Sequence, residues 1–337
     1  MQTDHKKVFL FNKPSGGGPR TFFNLLNKSL EDYHIELILP PQAPERVIFV
    51  ISATRHLLKL LWLKFNGYIV IQRLDGFNWS YRNKEKIFSL KNIFYKFIQN
   101  RLMQFIRKYI SDVVVYQSFY LQEVWNKKYG IAGKSIVIQN SARDEFFKIG
   151  KQYLRYNGNK KFKILCVEGE IQNDPRTKSY LKALDFLFEN IGDISSVEIF
   201  GSTNLIDTSI FRNLKFHGLK TSAEILEFYK QPNLIFVVLE LIPPCPNSVI
   251  EALASGIPVV GFNEGSFSEL TMDAGIEIEV NTRAKSYKPI PKHTFVEPIK
   301  KTILNYSEYS SEALSHAKEN LNSKKMSLSY KEIFNSL

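Results

Sequence analysis

Along this chain, short apolar runs alternate with longer stretches in which apolar positions recur at helical spacing. Residues 7–11 form the first run, rich in Val, Phe and Leu. Pro14-Ser15-Gly16-Gly17-Gly18-Pro19 follows, and then residues 21–30, where Phe22, Leu25, Leu26 and Leu30 share one helical face. This pattern predicts strand, glycine turn and helix. Residues 35–39, 46–52, 67–71, 112–116 and 135–138 read as further strands, each too short for a buried helix, with a helix over 55–65. The alternation breaks over residues 148–160, which are polar, contain glycine and lack periodicity. It then restarts: strands over 161–167, 196–201, 214–217, 234–239 and 258–261, helices over 178–190, 222–229 and 248–254. Alternation of this kind predicts open parallel sheets with helices on both faces. The expected organisation is a first α/β domain over residues 1–150 and a second over 151–309. A helical tail over 310–337 is expected to pack back across the first. A cleft between two such Rossmann-like domains is the expected binding site.

Composition narrows the function classes. With 44% hydrophobic and 13% aromatic residues in 337, the chain is too apolar to be disordered and long enough for two domains. Two cysteines exclude a disulfide framework or a Cys-rich zinc module. The six histidines are scattered, with no His-x-x-x-His, so neither a metal nor another cofactor is expected. The polar start, MQTDHKK, and the lack of a long apolar stretch predict a cytoplasmic protein without a spanning helix. Lys and Arg number 45 against 33 Asp and Glu, a net charge of +12. That excess implies an anionic partner: nucleic acid, anionic lipid or a phosphorylated small molecule.

The most informative segment is 244–270, PCPNSVIEALASGIPVVGFNEGSFSEL. Pro246 sets the approach, and Asn247 or Ser248 is expected to cap a helix whose free N–H groups point outward. Such an end favours a phosphate or diphosphate. Glu251 falls about one turn along, where a carboxylate can accept hydrogen bonds from ribose hydroxyls. Ser255-Gly256 ends the helix, residues 257–261 form a buried strand, and Asn263-Glu264-Gly265-Ser266 makes a polar loop beyond it. An ordinary capped helix–strand unit would carry the same letters.

The segment resembles the donor-site signature of family-4 retaining glycosyltransferases of the GT-B fold. His217-Gly218, residues 222–229 and 234–239, Pro246-Asn247, Glu251, residues 256–261 and Glu269 match it in order. The resemblance implies two Rossmann-like domains facing each other across a cleft. It also implies metal-independent, retaining transfer of a sugar from a nucleotide diphosphate donor to a glycan or lipid-linked acceptor, in cell-surface polysaccharide or glycan synthesis. The absence of Asp-x-Asp agrees with the metal-independent type. One departure stands out. The family carries a donor-sugar Glu eight residues before Glu251, where this chain has Pro243; the nearest carboxylate is Glu240. A catalytically silent GT-B subunit that binds a glycan or partner is therefore the alternative.

Three further features follow from the resemblance. Gly16, Gly17 and Gly18 would let the backbone approach the donor diphosphate and acceptor, although a structural turn needs the same glycines. Arg176 and Lys178, after the strand over 161–167, match the family's cation pair that neutralises the leaving diphosphate. A solvated loop is the plain alternative. Arg73 and Asp75 occupy the region where related enzymes often carry a His near the reacting sugar. They are the catalytic candidates, and Asp75-Gly76 is also ordinary turn chemistry. Residues 55–108 interleave cations with aromatics, with Arg82, Lys84, Lys86, Lys91, Lys96, Arg101, Arg107 and Lys108 against Glu85 over 82–108. They form either helices with ordinary core faces or a peripheral contact with the anionic inner face of a membrane. An epimerase on the same fold would need acid and base groups in the cleft. No nucleic-acid module is readable, so no nucleic-acid partner is expected.

Overall fold

The computed structural model describes residues 6–14, 17–39, 46–76, 90–153, 161–240, 242–279 and 289–337. It divides into two compact units, Met1–Ser141 with Ser323–Leu337, and Ala142–Asn322.

The first unit is built on β1 (Lys6–Leu10), β2 (Ile35–Ile38), β3 (Val47–Ile51), β4 (Ile69–Arg73), β5 (Val113–Tyr116) and β6 (Lys134–Val137). The sheet order is β2-β1-β3-β4-β5-β6, and every neighbouring pair is parallel. β3, VIFVI, is buried along its whole length, as a central strand covered on both faces requires. Its helices are α1 (Gly17–Leu30), α2 (Leu57–Phe65), α3 (Leu90–Phe105) and α4 (Phe119–Tyr129). α1 buries Phe22, Phe23, Leu26 and Leu30 on one face of the sheet. Leu60 and Leu63 of α2 pack on the other with Ile106 and Ile110.

The second unit opens with α5 (Asp144–Tyr153) and carries β7 (Phe162–Glu170), α6 (Pro175–Asn190), β8 (Ile194–Ser202), β9 (Leu214–Phe216), α7 (Ser222–Tyr229), β10 (Leu234–Val237), α8 (Asn247–Ala254), β11 (Val259–Phe262), α9 (Phe267–Thr271), β12 (Gly275–Ile278), α10 (Val296–Leu304) and α11 (Tyr306–Asn320). The order β12-β11-β10-β7-β8-β9 is again all parallel. α6 and α10 cover one face through Tyr180, Leu181, Leu184, Leu187 and Ile299, and α5, α7, α8 and α11 cover the other. Strand order reverses between β1 and β3 in the first sheet, and between β7 and β10 in the second. Open α/β sheets bind ligands beyond the carboxyl ends of the strands at such reversals.

Two boundaries differ from the sequence expectation. The division falls at Ser141/Ala142 and not at 150, because Phe146 and Ile149 of α5 bury themselves in the second core. The tail is two helices: α11 stays with the second unit through Ala313 and Ala317. Only α12 (Ser323–Asn335) joins the first, where Tyr330 and Phe334 pack edge-on against Phe49. α1 begins at Gly17, earlier than the periodicity suggested, because Pro19 is tolerated in a first turn. α6 also begins early. Asp174 accepts hydrogen bonds from the N–H groups of Arg176 and Thr177, both 3.0 Å, and Pro175 takes the first helical position.

Candidate functional site

The amino end of α8 lies beyond β10, on the carboxyl side of the reversal in the second sheet. Its N-cap is Pro246, in extended conformation, and no side chain caps the helix. Asn247 and Ser248, expected as caps, instead form the first two helical positions and are half-buried. Proline offers the first turn no side-chain acceptor, and a helix amino end of this kind favours an anion. Glu251 follows about one turn along. Its carboxylate accepts no hydrogen bond from the described residues, and burial pushes its pKa up to about 7, opposed by the charge of Arg143.

Pro243, eight residues before Glu251, is buried and wedged into the turn after β11. The Ser266 N–H donates to its carbonyl at 2.7 Å, and a Cβ on Gly265 would stand 2.6 Å from the proline Cδ. Two carboxylates, Glu168 on β7 and Glu240 just past β10, stand at the strand-order reversal itself. The Glu168 carboxylate accepts hydrogen bonds from the backbone N–H groups of Leu239 and Glu240. Burial, then repulsion by Glu240, raises Glu168 well above the usual carboxylate range. Glu240 reaches the surface, yet burial raises its carboxyl as well, so both members of the pair resist ionising.

Arg176 and Lys178 are not brought together. Two positions apart on a helix, they project about 200° from one another. The Arg176 guanidinium turns inward and is held by both oxygens of Glu264, at 3.2 and 2.7 Å. Its Nε donates to the Tyr180 hydroxyl at 2.9 Å, and the group lies over the Tyr180 and Phe262 rings. Lys178 is exposed.

In the first unit, Gly17 and Gly18 are exposed at the start of α1, with Gly17 at φ +63°, a conformation glycine adopts at no steric cost. Gly16 lies outside the described residues. Arg73 is fully buried: its Nη1 donates to Asp75 at 2.5 Å, its Nη2 to Asn140 Oδ1 at 2.9 Å, and its guanidinium stacks 3.7 Å from the Phe22 ring of α1. Gln117 Nε2 donates to the Leu74 carbonyl and to Asp75, and Gln117 Oε1 accepts from Asn140 Nδ2. The start of α1, after β1, and the Arg73–Asp75 pair, at the end of β4, thus both lie on the carboxyl side of one sheet. There Ser52, after β3, adopts φ +65°, unusual for a residue with a side chain.

Sequence reasoning did not single out Arg143, Tyr229, Glu168, Asn140 or Gln117. Their signals are tertiary: each is polar, buried in part, and defined by partners far along the chain. Of the basic segment, residues 77–89 lie outside the described residues. On α2, Leu58, Trp62 and Phe65 are 83%, 62% and 86% exposed, with Arg55 and Lys59 exposed beside them. Among the described residues no helix is long and apolar enough to cross a membrane, and no three His, Cys, Asp or Glu are placed to hold a metal ion.

No protein-family model matches the chain, and no curated protein matches it by sequence. Solved structures do match it. Sucrose-phosphate synthase from Thermosynechococcus elongatus superposes with a TM-score of 0.68 at 11% identity, over 98% of this chain and 99% of its own. A glycosyltransferase from Rickettsia africae gives 0.66 at 14% identity, over 99% and 98%. HepE of Anabaena, in complex with UDP and glucose, gives 0.66 at 14%, over 99% and 100%. The chain has the GT-B fold.

Proposed function

We propose that the chain is a glycosyltransferase that moves a sugar from a nucleoside-diphosphate sugar to a glycan or lipid-linked acceptor. The observation that carries this reading is the α8 amino end. It lacks a capping side chain, stands on the carboxyl side of the reversal of a parallel sheet, and has an unpartnered carboxylate, Glu251, one turn inside it. The GT-B likeness supports it, and so does the binding of UDP and UDP-glucose by HepE.

In this reading the first-turn N–H groups of α8 and the Lys178 ammonium stabilise negative charge on the departing diphosphate, and Glu251 accepts from the ribose hydroxyls. Asp75 orients the acceptor hydroxyl, and Arg73, already committed to Asp75 and Asn140, positions it. Exposed Glu240 takes the donor-sugar contact that Pro243 cannot make. The bond from sugar C1 to the diphosphate oxygen breaks, the acceptor oxygen bonds to C1 on the same face, and the acceptor proton passes to the diphosphate. No metal is used. The exposed Leu58, Trp62 and Phe65, with their basic neighbours, rest on the anionic inner face of a membrane, where lipid-linked acceptors for surface polysaccharide would lie. The net charge of +12 supports that assignment.

Incubating the full chain with a panel of nucleotide sugars, with and without membrane lipid extract, tests the reading through diphosphate release. Acceptor-dependent release supports it. Donor binding without turnover on any acceptor would favour the silent GT-B subunit, the alternative that Pro243 supports. Failure to bind any nucleotide sugar would overturn both.

A further inference from the structure

Behind Glu251 lies a polar cluster that has no part in the proposed transfer. Arg143 immediately precedes α5. Its backbone is pinned by Phe146 N–H donating to its carbonyl at 3.1 Å, and by the neighbouring Ala142 N–H donating to Leu321 O at 3.0 Å. The guanidinium lies 5.0 Å from the Phe146 ring, which in turn packs edge-on against Tyr229 at 5.5 Å. Tyr229 ends α7 and is close enough to Glu251 to feel its charge, as Glu251 feels that of Arg143. Yet no ion pair joins Arg143 and Glu251, and among the described residues three buried polar atoms have no hydrogen-bond partner: Arg143 Nε, Arg143 Nη2 and the Tyr229 hydroxyl. Buried donors left unpaired are costly, so groups of this kind mark a place where something else completes them.

The identity of the two arginine atoms decides what that is. Nε and Nη2 form one edge of the guanidinium, with two parallel N–H bonds that match two adjacent acceptor atoms. A carboxylate or phosphate has that shape, but it would bring a second anion beside Glu251, which repels it. A neutral nucleobase edge does not. Guanine presents O6 and N7 side by side, and cytosine O2 and N3. Uracil and adenine place a donor next to each such acceptor and leave one N–H of the fork unmatched.

Resting on the donor reading, we propose that Arg143, with Tyr229, is a specificity-determining residue for the nucleoside of the donor, receiving a base with two adjacent acceptors while Glu251 holds the ribose. The test is calorimetric titration of the full chain, and of Arg143→Lys, Arg143→Gln and Glu251→Gln, with GDP, CDP, UDP and ADP. The wild type should bind GDP or CDP at least about tenfold more tightly than UDP and ADP. Arg143→Lys keeps the charge but lacks the fork, so it should lose that preference, as should Arg143→Gln. Glu251→Gln should weaken all four alike and keep the preference. Tightest binding of UDP or ADP, or a preference that survives Arg143→Lys, overturns the role of Arg143 while the donor reading stands. No binding of any nucleotide overturns both.

Discussion

Arg176 Nη2 donates to Glu264 Oε2 at 2.7 Å, joining the first turn of α6 to the loop after β11 across 88 positions of sequence. Both side chains are largely buried, at 6% and 15% exposure, so the pair holds the carboxyl edge of the second sheet together and is already neutralised. Removing one member of a buried pair leaves an uncompensated charge. Arg176→Met should therefore cost about 3–5 kcal/mol in denaturant unfolding, and adding Glu264→Gln should recover part of that loss. Lys178→Ala should change stability by about 0.5 kcal/mol or less and instead weaken binding of nucleoside diphosphates. Equal destabilisation by both single variants would show that Arg176 is not the structural member of the two.

Pro243 and Gly265 make a second constraint on the same edge. At Gly265 a side chain meets the proline ring and carbonyl, and the backbone is at φ +65°. Gly265→Ala should lose about 2–4 kcal/mol, from left-handed strain plus overpacking against a backbone that cannot yield. Gly218, also at positive φ but with open space around it, serves as the control, with a loss of about 1–2 kcal/mol from strain alone. A similar loss at both glycines would rule out the contact with Pro243.

Much of the fold was legible because it rests on local composition. The VIFVI of β3 can be buried only on both faces, and the strand–helix alternation around it leaves few alternatives to an open parallel sheet. What escaped depends on neighbours. Gly150 looks like a breaker in sequence, but it is the point where α5 lies against α8 and α11: a Cβ there would stand 2.8 Å from Ala254 O and 2.7 Å from Leu314 Cδ1. Close approach of this kind leaves no periodic trace, so α5 and the boundary before it were hidden. Within the candidate site, Glu251 and the α8 amino end were marked by a Pro, an Asn and a Glu at short spacing. The engagement of Arg176 by Glu264, and the cluster of Arg143 with Tyr229, come from residues far apart in the chain.

The pH dependence of stability and of donor binding should run in opposite directions. Burial lifts Glu251 from the ordinary 4.5 to about 7, so the native state holds a proton that the unfolded chain releases. The group's contribution to stability is full at acid pH and is lost as pH rises through about 7. Glu168, raised by burial and by Glu240, acts in the same sense. The thermal midpoint should fall between pH 5 and pH 8, and Glu251→Gln or Glu168→Gln should flatten the decline. A ribose diol, in contrast, needs the carboxylate. Nucleotide affinity should rise about tenfold from pH 6 to pH 8 in the wild type, with proton release on binding, and this rise should vanish in Glu251→Gln. A flat affinity profile in the wild type would remove Glu251 from the ribose.

Leu58, Trp62 and Phe65 fall at helical spacing on the solvent face of α2, opposite the buried Leu60 and Leu63. Three large apolar side chains left in water on one short helix, with Arg55 and Lys59 exposed beside them, match a bilayer surface that is apolar below and anionic above. The full chain should co-sediment with vesicles containing anionic lipid, and raising salt from about 0.1 to 0.5 M should weaken the association as the Debye length shortens. Trp62→Ala removes about 2 kcal/mol of buried apolar surface and should lower partitioning by roughly tenfold or more, with unchanged thermal stability because the ring contributes little to the core. Lys59→Glu should act through charge alone, abolishing the salt-sensitive part. Equal binding to neutral and anionic vesicles would sink the electrostatic half of the proposal, and unchanged partitioning of Trp62→Ala would move the contact off α2.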